Sequence, residues 1–219
     1  MNVLGVDVGG THVKILASDQ SERREFASGQ KLTASETVAG VKKLASGWTY
    51  EAVAIGYPGP VLHGMPAEEP HNLGGGWVGF DFAGAFECPV KLVNDAAMQA
   101  LGAYRGGKML FLGLGTGLGT TLIVDGAVEP MELAHLPYRK ATYEDYVGVR
   151  GLKRLGKKKW RQNVADVVAK LAAAFEPDEI VLGGGNAKFL KNLPPKCRLG
   201  SNADAFAGAF RLWQEPSTS

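Results

Sequence analysis

Residues 2–17, NVLGVDVGGTHVKILA, govern how the rest of the chain is read. Residues 2–8 form a near-continuous apolar run, as a strand buried on both faces does, and the run stops at Gly9-Gly10-Thr11. A second strand follows through Val13 to Ala17, so the two make a hairpin with glycines at its turn. Residues 109–124, MLFLGLGTGLGTTLIV, repeat strand, glycine turn and strand about 105 residues later. This weak internal repeat predicts two related lobes in an α/β protein.

Outward from the first hairpin, Thr33-x-x-Glu36 is a capping box opening a helix with Val38, Val41, Leu44 and Ala45 at helical spacing. A short strand at 52–57 runs into GYPGPV (56–61). The irregular stretch 62–82 then carries His71, Asn72, three consecutive glycines and Trp77; loops of this length are usually functional. A strand at 90–93 leads into Asn94-Asp95, whose carboxylate can cap a helix at 96–104. Helices are predicted at 143–147, 160–175 and 203–213, and a strand at 179–182 ends in Gly183-Gly184-Gly185.

The chain has 219 residues, 45% hydrophobic and 21% charged, with a formal charge of +2, which fits a globular protein and excludes global disorder. No apolar run approaches the roughly 20 residues that span a bilayer, and MNVLGVDVGG lacks a signal-peptide pattern. A soluble cytoplasmic protein with no membrane partner is the expectation. Cys88 and Cys197 are isolated and read as inert thiols, with no cysteine-built zinc site. Glycine is the outlier, 30 residues or about twice the ~7% average.

Those glycines cluster at strand ends, where backbone N–H groups can hold phosphate. Asp7-x-Gly9-Gly10-Thr11 offers a carboxylate for hydrated Mg²⁺ and N–H groups for phosphate, or is simply a tight hairpin. Gly113–Gly119 is a second such turn and Gly183–Gly185 a third; none is a Walker A loop or a dinucleotide fingerprint. Glu132-x-x-His135 has metal-ligand spacing for a helix, but Pro130 and Pro137 bracket it and argue for a loop, against zinc.

The ordered set DVGGT, GYPGPV, NLGGGW, NDAA, GLGTGLG, ELAH and LGGGNA resembles the sugar kinases of the ROK family, above all the polyphosphate glucokinase branch. The resemblance covers nearly the whole chain. It implies the two-lobed actin-like ATPase (ribonuclease H-like) fold, Asp95 as catalytic base, and Asn94, Glu132 and His135 on the sugar hydroxyls. Asn72 matches the family's sugar-side loop, with a one-residue difference in spacing and glycine in place of proline. Family members that bind structural zinc carry a cysteine cluster after the histidine; here LPYRKATYEDYVG follows and has none. Ala134 stands where the family usually has glycine.

On this reading a small N-terminal lobe spans 1–93, with the helix at 203–213 packing back onto it, and 94–202 forms a larger lobe carrying sugar and donor loops. Asp95 takes the proton of a glucose hydroxyl, unless it only caps its helix; Asn94 orients a hydroxyl or holds the turn. Glu132 and His135 contact the sugar or form a structural pair, and Trp77 reads as packing. Asp7 positions Mg²⁺ through water, Gly9, Gly10, Thr11, Gly115, Thr116, Gly117, Gly184 and Gly185 hold phosphate or nucleotide, and Lys14 adds charge there or lies on the strand surface.

Residues 139–161 hold nine basic and two acidic residues, so the remainder of the chain sums to −5. Lys153, Arg154, Lys157, Lys158, Lys159 and Arg161 form either a solvated face or a track for a polyanionic donor such as polyphosphate. Only Trp160 lies among them, so base stacking and a nucleic-acid partner are poorly supported. The donor is polyphosphate, ATP or both. The alternatives are a kinase for another hexose or an N-acetylhexosamine, and a catalytically silent sugar-binding regulator. Dimers are common in the family, and nothing in the sequence specifies one.

Overall fold

A computed structural model describes residues 1–201 and 203–214. Position 202, where the sequence reading ends the second lobe, lies outside the described residues. The chain divides into two compact units, Met1–Gly102 with the described residues from Ala205 onward, and Ala103–Asp204.

The first unit is built on β1 (Val3–Val8), β2 (His12–Ala17), β3 (Arg24–Ala27), β4 (Ala52–Tyr57) and β5 (Val90–Asn94), in the order β3-β2-β1-β4-β5. β1 pairs antiparallel with β2 and parallel with β4, and β4 runs parallel to β5. Every residue of β4 is buried, as a central strand requires. On one face α1 (Ala34–Leu44) and α2 (Phe82–Phe86) pack through Val38, Val41, Phe82 and Phe86 onto Leu4, Val6, Val13 and Ile15. The capping box is formed: Thr33 Oγ1 accepts from Glu36 N–H at 3.2 Å, and the Glu36 carboxylate accepts from Thr33 N–H at 2.9 Å. The Thr33 N–H bond, together with one that Thr33 Oγ1 donates to the same carboxylate at 2.8 Å, holds the Glu36 carboxyl below its ordinary range. The helix α3 (Asp95–Ala103) contributes Met98 to a cluster with Val3 and Ala54 on the other face.

The second unit repeats the plan with β6 (Lys108–Leu114), β7 (Leu118–Val124), β8 (Ala127–Met131), β9 (Glu179–Gly183) and β10 (Cys197–Leu199). The order is β8-β7-β6-β9-β10, with the same pattern of antiparallel and parallel pairs. The echo in the sequence is therefore one topology used twice. α4 (Tyr143–Val147) precedes α5 (Val149–Phe175), which begins 11 residues before the start predicted from sequence. Gly156, at φ 71° and ψ 162°, breaks it into two helical runs; this left-handed backbone suits glycine and explains why the periodicity restarts at Trp160. Trp160, Val164, Val167, Val168 and Leu171 then cover Leu110, Leu112, Ile180 and Leu182.

α6 (Asp204–Arg211), shorter than the predicted 203–213, packs with the first unit. Its Ala209 and Phe206 lie so near Gly5 that a Cβ there would sit 3.0 and 3.1 Å from them. Among the described residues no helix is long and apolar enough to cross a membrane.

Candidate active site

The residues singled out in the sequence fall into two groups, one on each unit. In the first unit, Asp7 pairs in register with Gly56, and Gly56 with Val93, so Asp7 and Asn94-Asp95 share the edge where β1, β4 and β5 end. A Cβ on Gly56 would lie 3.5 Å from Asp95 Cα, so this glycine separates the two carboxylate positions. Lys14 lies opposite Asp7 on β2 and its Nζ is 3.4 Å from Asp7 Oδ2, an ion pair in which Asp7 is largely buried.

The start of α3 is capped differently from the expectation. Asn94 Oδ1 accepts from Ala96 and Ala97 N–H at 3.0 and 3.2 Å, while Asn94 Nδ2 donates to Gly59 O at 3.0 Å. Asp95 accepts from Ala96 N–H through Oδ1 at 2.8 Å. Asn94 thus reaches the donor deeper in the turn, as an N-cap residue does, and fastens the Pro58-Gly59-Pro60 loop. Asp95 is the first helical residue, half-buried at the positive end of α3.

Gly9 N–H donates to His12 O at 3.0 Å and closes the first turn. Asn72 stands against it: a Cβ on Gly10 would be 3.3 Å from Asn72 Cβ. The long loop that carries Asn72 is anchored by Trp77, fully buried, with its ring 5.3 Å from Tyr57 and its Nε1 donating to Gly74 O at 2.9 Å. Trp77 is a packing residue. Glu69, which sequence reasoning missed, accepts from Trp77 N–H and Val78 N–H at 3.1–3.2 Å and closes the loop on itself. Its partners are backbone groups, which leave no residue-type signal.

In the second unit the two later glycine turns come together. Gly184, at φ +80°, lies so close to Leu114 that a Cβ would be 2.6–2.7 Å from its backbone. Asn186 N–H donates to Leu114 O, and Asn186 Nδ2 to Gly115 O, each at 2.9 Å. Val149 N–H, at the start of α5, donates to Gly115 O and Thr116 O at 3.1 and 3.2 Å.

Glu132 and His135 are exposed on a non-helical loop, as the flanking prolines predict. Glu144 N–H donates to Ala134 O at 3.1 Å, and a Cβ on Gly117 would be 2.5 Å from Glu144 Oε2. Glu144 therefore ties that loop to the Gly115–Gly117 turn, a second residue the sequence reading missed. It also accepts from Arg150 at 2.7 Å.

Along α5, Lys153, Lys157, Lys158 and Lys159 are exposed, and Arg154 donates to Asp145 O at 2.7 Å. Arg161 is half-buried, with Nε enclosed and unpartnered among the described residues. Burial pushes both thiols up, Cys197 to about 11, so neither is a reactive thiolate.

The chain is 26% identical over 205 residues to the polyphosphate glucokinase of Mycobacterium leprae, covering 83% of this chain and 62% of that one. A polyphosphate glucokinase of Mycobacterium tuberculosis is 25% identical over 203 residues, with 83% and 76% covered. The chain thus spans less than two thirds of the M. leprae relative. The inorganic polyphosphate/ATP-glucomannokinase of Arthrobacter sp. strain KM superposes with a TM-score of 0.78 at 22% identity, over 95% of this chain and 96% of that one. A ROK family glucokinase from Streptomyces griseus in complex with glucose and AMPPNP gives 0.74 at 18%, over 97% and 99%. The fold is accordingly the actin-like ATPase fold of these sugar kinases. With the ROK family pattern matching residues 3–130, and with its glycine turns and Asn94-Asp95 set at the strand ends described above, the chain belongs to the ROK family.

Proposed function

We propose that this protein is a glucokinase that transfers a phosphoryl group from polyphosphate, ATP or both to the 6-hydroxyl of glucose, with Asp95 as general base. The observation that carries this reading is the first unit's sheet edge, where Asp7 and Asp95 flank Gly56 and Asn72 abuts the Gly9-Gly10 turn. Phosphoryl transfer to an alcohol asks for little covalent chemistry from the protein: a carboxylate at the attacking hydroxyl and donors around the transferred group suffice.

Asn72, Asn94, Glu132 and His135 would orient the sugar. Asn94 has one amide hydrogen beyond its bond to Gly59 O. Asp95, held at the start of α3 by Ala96 N–H, receives the hydroxyl proton as the sugar oxygen bonds to phosphorus. The bond from that phosphorus to the donor breaks, and its electron pair leaves with the shortened donor. The turns Gly9-Gly10-Thr11 and Gly115-Thr116-Gly117, with Gly184 and Gly185, present backbone to the donor phosphates; the N–H groups of Gly9 and Gly115 close their own turns on His12 O and Gly117 O, so the other members supply the donors.

Asp7 fits Mg²⁺, which favours one or two carboxylates and keeps several waters, and the Lys14 ion pair on Oδ2 favours contact through water. When bound, Mg²⁺ neutralises charge on the donor phosphates. Lys14 supplies a further cation at the same edge, and the exposed lysines of α5 a track for a long donor.

The test is glucose 6-phosphate formation by purified protein with Mg²⁺ and either ATP or nucleotide-free polyphosphate, alongside Asp95→Asn. Product from wild type, and product formed about 10²–10⁴-fold more slowly by the variant with glucose binding kept, is the expected outcome. Full turnover by Asp95→Asn removes Asp95 as base. Silence with both donors and glucose, but turnover on another hexose, moves the reading to the rival substrate class.

A further inference from the structure

Phe189, on the short turn Ala187–Phe189, holds two ammonium groups at one ring: Lys157 Nζ is 4.5 Å and Lys188 Nζ 5.3 Å from its centroid. Cation–π attraction draws each to the ring, but the two like charges oppose one another. Neither has an acidic partner among the described residues, whereas Arg150 on the same helix is neutralised by Glu144 and Asp145. Lys188 also lines a cavity of about 250 Å³ with Gly184, Gly185, Leu199 and Gly200. Asp204, whose Oδ2 would lie 3.1 Å from a Cβ on Gly200, is occupied by Ser201 N–H at 2.6 Å.

The geometry points to an anion clamp: Lys157 and Lys188, both held at the Phe189 ring, with Lys188 also lining that cavity, take a linear phosphate chain. Two cations held at one ring can be bridged by successive oxyanions of a chain, and the exposed Lys153 and Lys158 of α5 suit a ligand whose charge repeats along its length. A stacked base is the poorer occupant, because ammonium groups already sit at the ring. The inference rests on reading the second unit as the donor-binding one, and names two lysines that tie the α5 strip to the Gly184-Gly185 cavity.

The experiment is calorimetric binding of tripolyphosphate, long-chain polyphosphate and ATP to the full chain, comparing wild type with Lys157→Gln/Lys188→Gln. Lys31→Gln/Lys43→Gln removes the same charge from exposed sites on the first unit. The clamp variant is expected to weaken long-chain binding at least about tenfold and the control less than about twofold. Loss confined to the inorganic chains assigns the clamp to polyphosphate; equal loss for ATP assigns it to a phosphate chain from either source. Wild-type affinity in the clamp variant, equal loss in the control, or no chain binding by wild type overturns the inference. Glucose phosphorylation by wild type, assayed in parallel, separates the two ideas: turnover with an unaffected clamp variant sinks only the clamp, and clamp-dependent binding without turnover sinks only the kinase reading.

Discussion

In the first unit the edge where β1, β4 and β5 end carries Asp7, Gly56 and Asn94-Asp95, whereas the matching edge of the second carries Gly113, Gly183 and Gly200. Both sheets have the same strand order, so the scaffold does not account for the contrast. Carboxylates at strand ends can move a proton or hold a cation; glycines there bring backbone N–H groups close to a ligand without side chains in the way. On the proposed function, one topology carries a reactive edge and a receiving edge.

The comparison breaks first, if at all, at Asp95. Asp95→Asn should lower kcat about 10²–10⁴-fold while KM for glucose moves less than about threefold, measured by coupled glucose 6-phosphate assay. A rise in KM with kcat intact would make this edge a binding edge like the other. Next comes Gly184→Ala, which forces a Cβ onto Leu114 at positive φ and should cost about 1–3 kcal/mol in urea unfolding. Gly115→Ala faces open space and should stay within about 0.5 kcal/mol. Equal costs would mean the second edge is not built on close approach.

Gly10→Ala probes the first edge with the same added carbon. It presses on Asn72, and kcat/KM for glucose should fall by about tenfold or less with stability kept. The smallest effects concern the capping boxes, one in each unit. Thr33→Ala and Thr142→Ala should each cost about 1 kcal/mol at neutral pH. Bonds from Thr33 and Thr142 lower the Glu36 and Asp145 carboxyls from their ordinary 4.5 and 3.8. A lowered carboxyl contributes stability above its unfolded value and loses it as pH falls through the folded one, so both deficits should narrow in acid.

What was legible in the sequence had a short-range signature. β4 at 52–57 and the Thr33–Glu36 box depend on neighbours in the chain, and both formed where they were read. The repeat was legible because glycine turns interrupt apolar runs at both places. The helix before Trp160 was hidden by Gly156 and the lysines after it, a run that looks like loop until its backbone is seen to bend once and resume. Capping by Asn94 rather than by Asp95 alone was hidden too, since both residue types cap and only the reach to Ala97 separates them. Glu69 was illegible because its carboxylate works on backbone groups, and Glu144 because the Gly117 turn it packs against lies 27 positions away.

The burial of two indoles has an optical consequence. Trp77 is sealed in the first unit, and Trp160, sealed beneath α4 with its Nε1 donating to Val147 O at 2.7 Å, is the sole tryptophan of the second. Each half of the molecule therefore carries its own native fluorophore. Replacing Trp160 by phenylalanine leaves emission that reports on the first unit alone, and the difference from wild type isolates the second, so the order in which the units melt can be read without a dye.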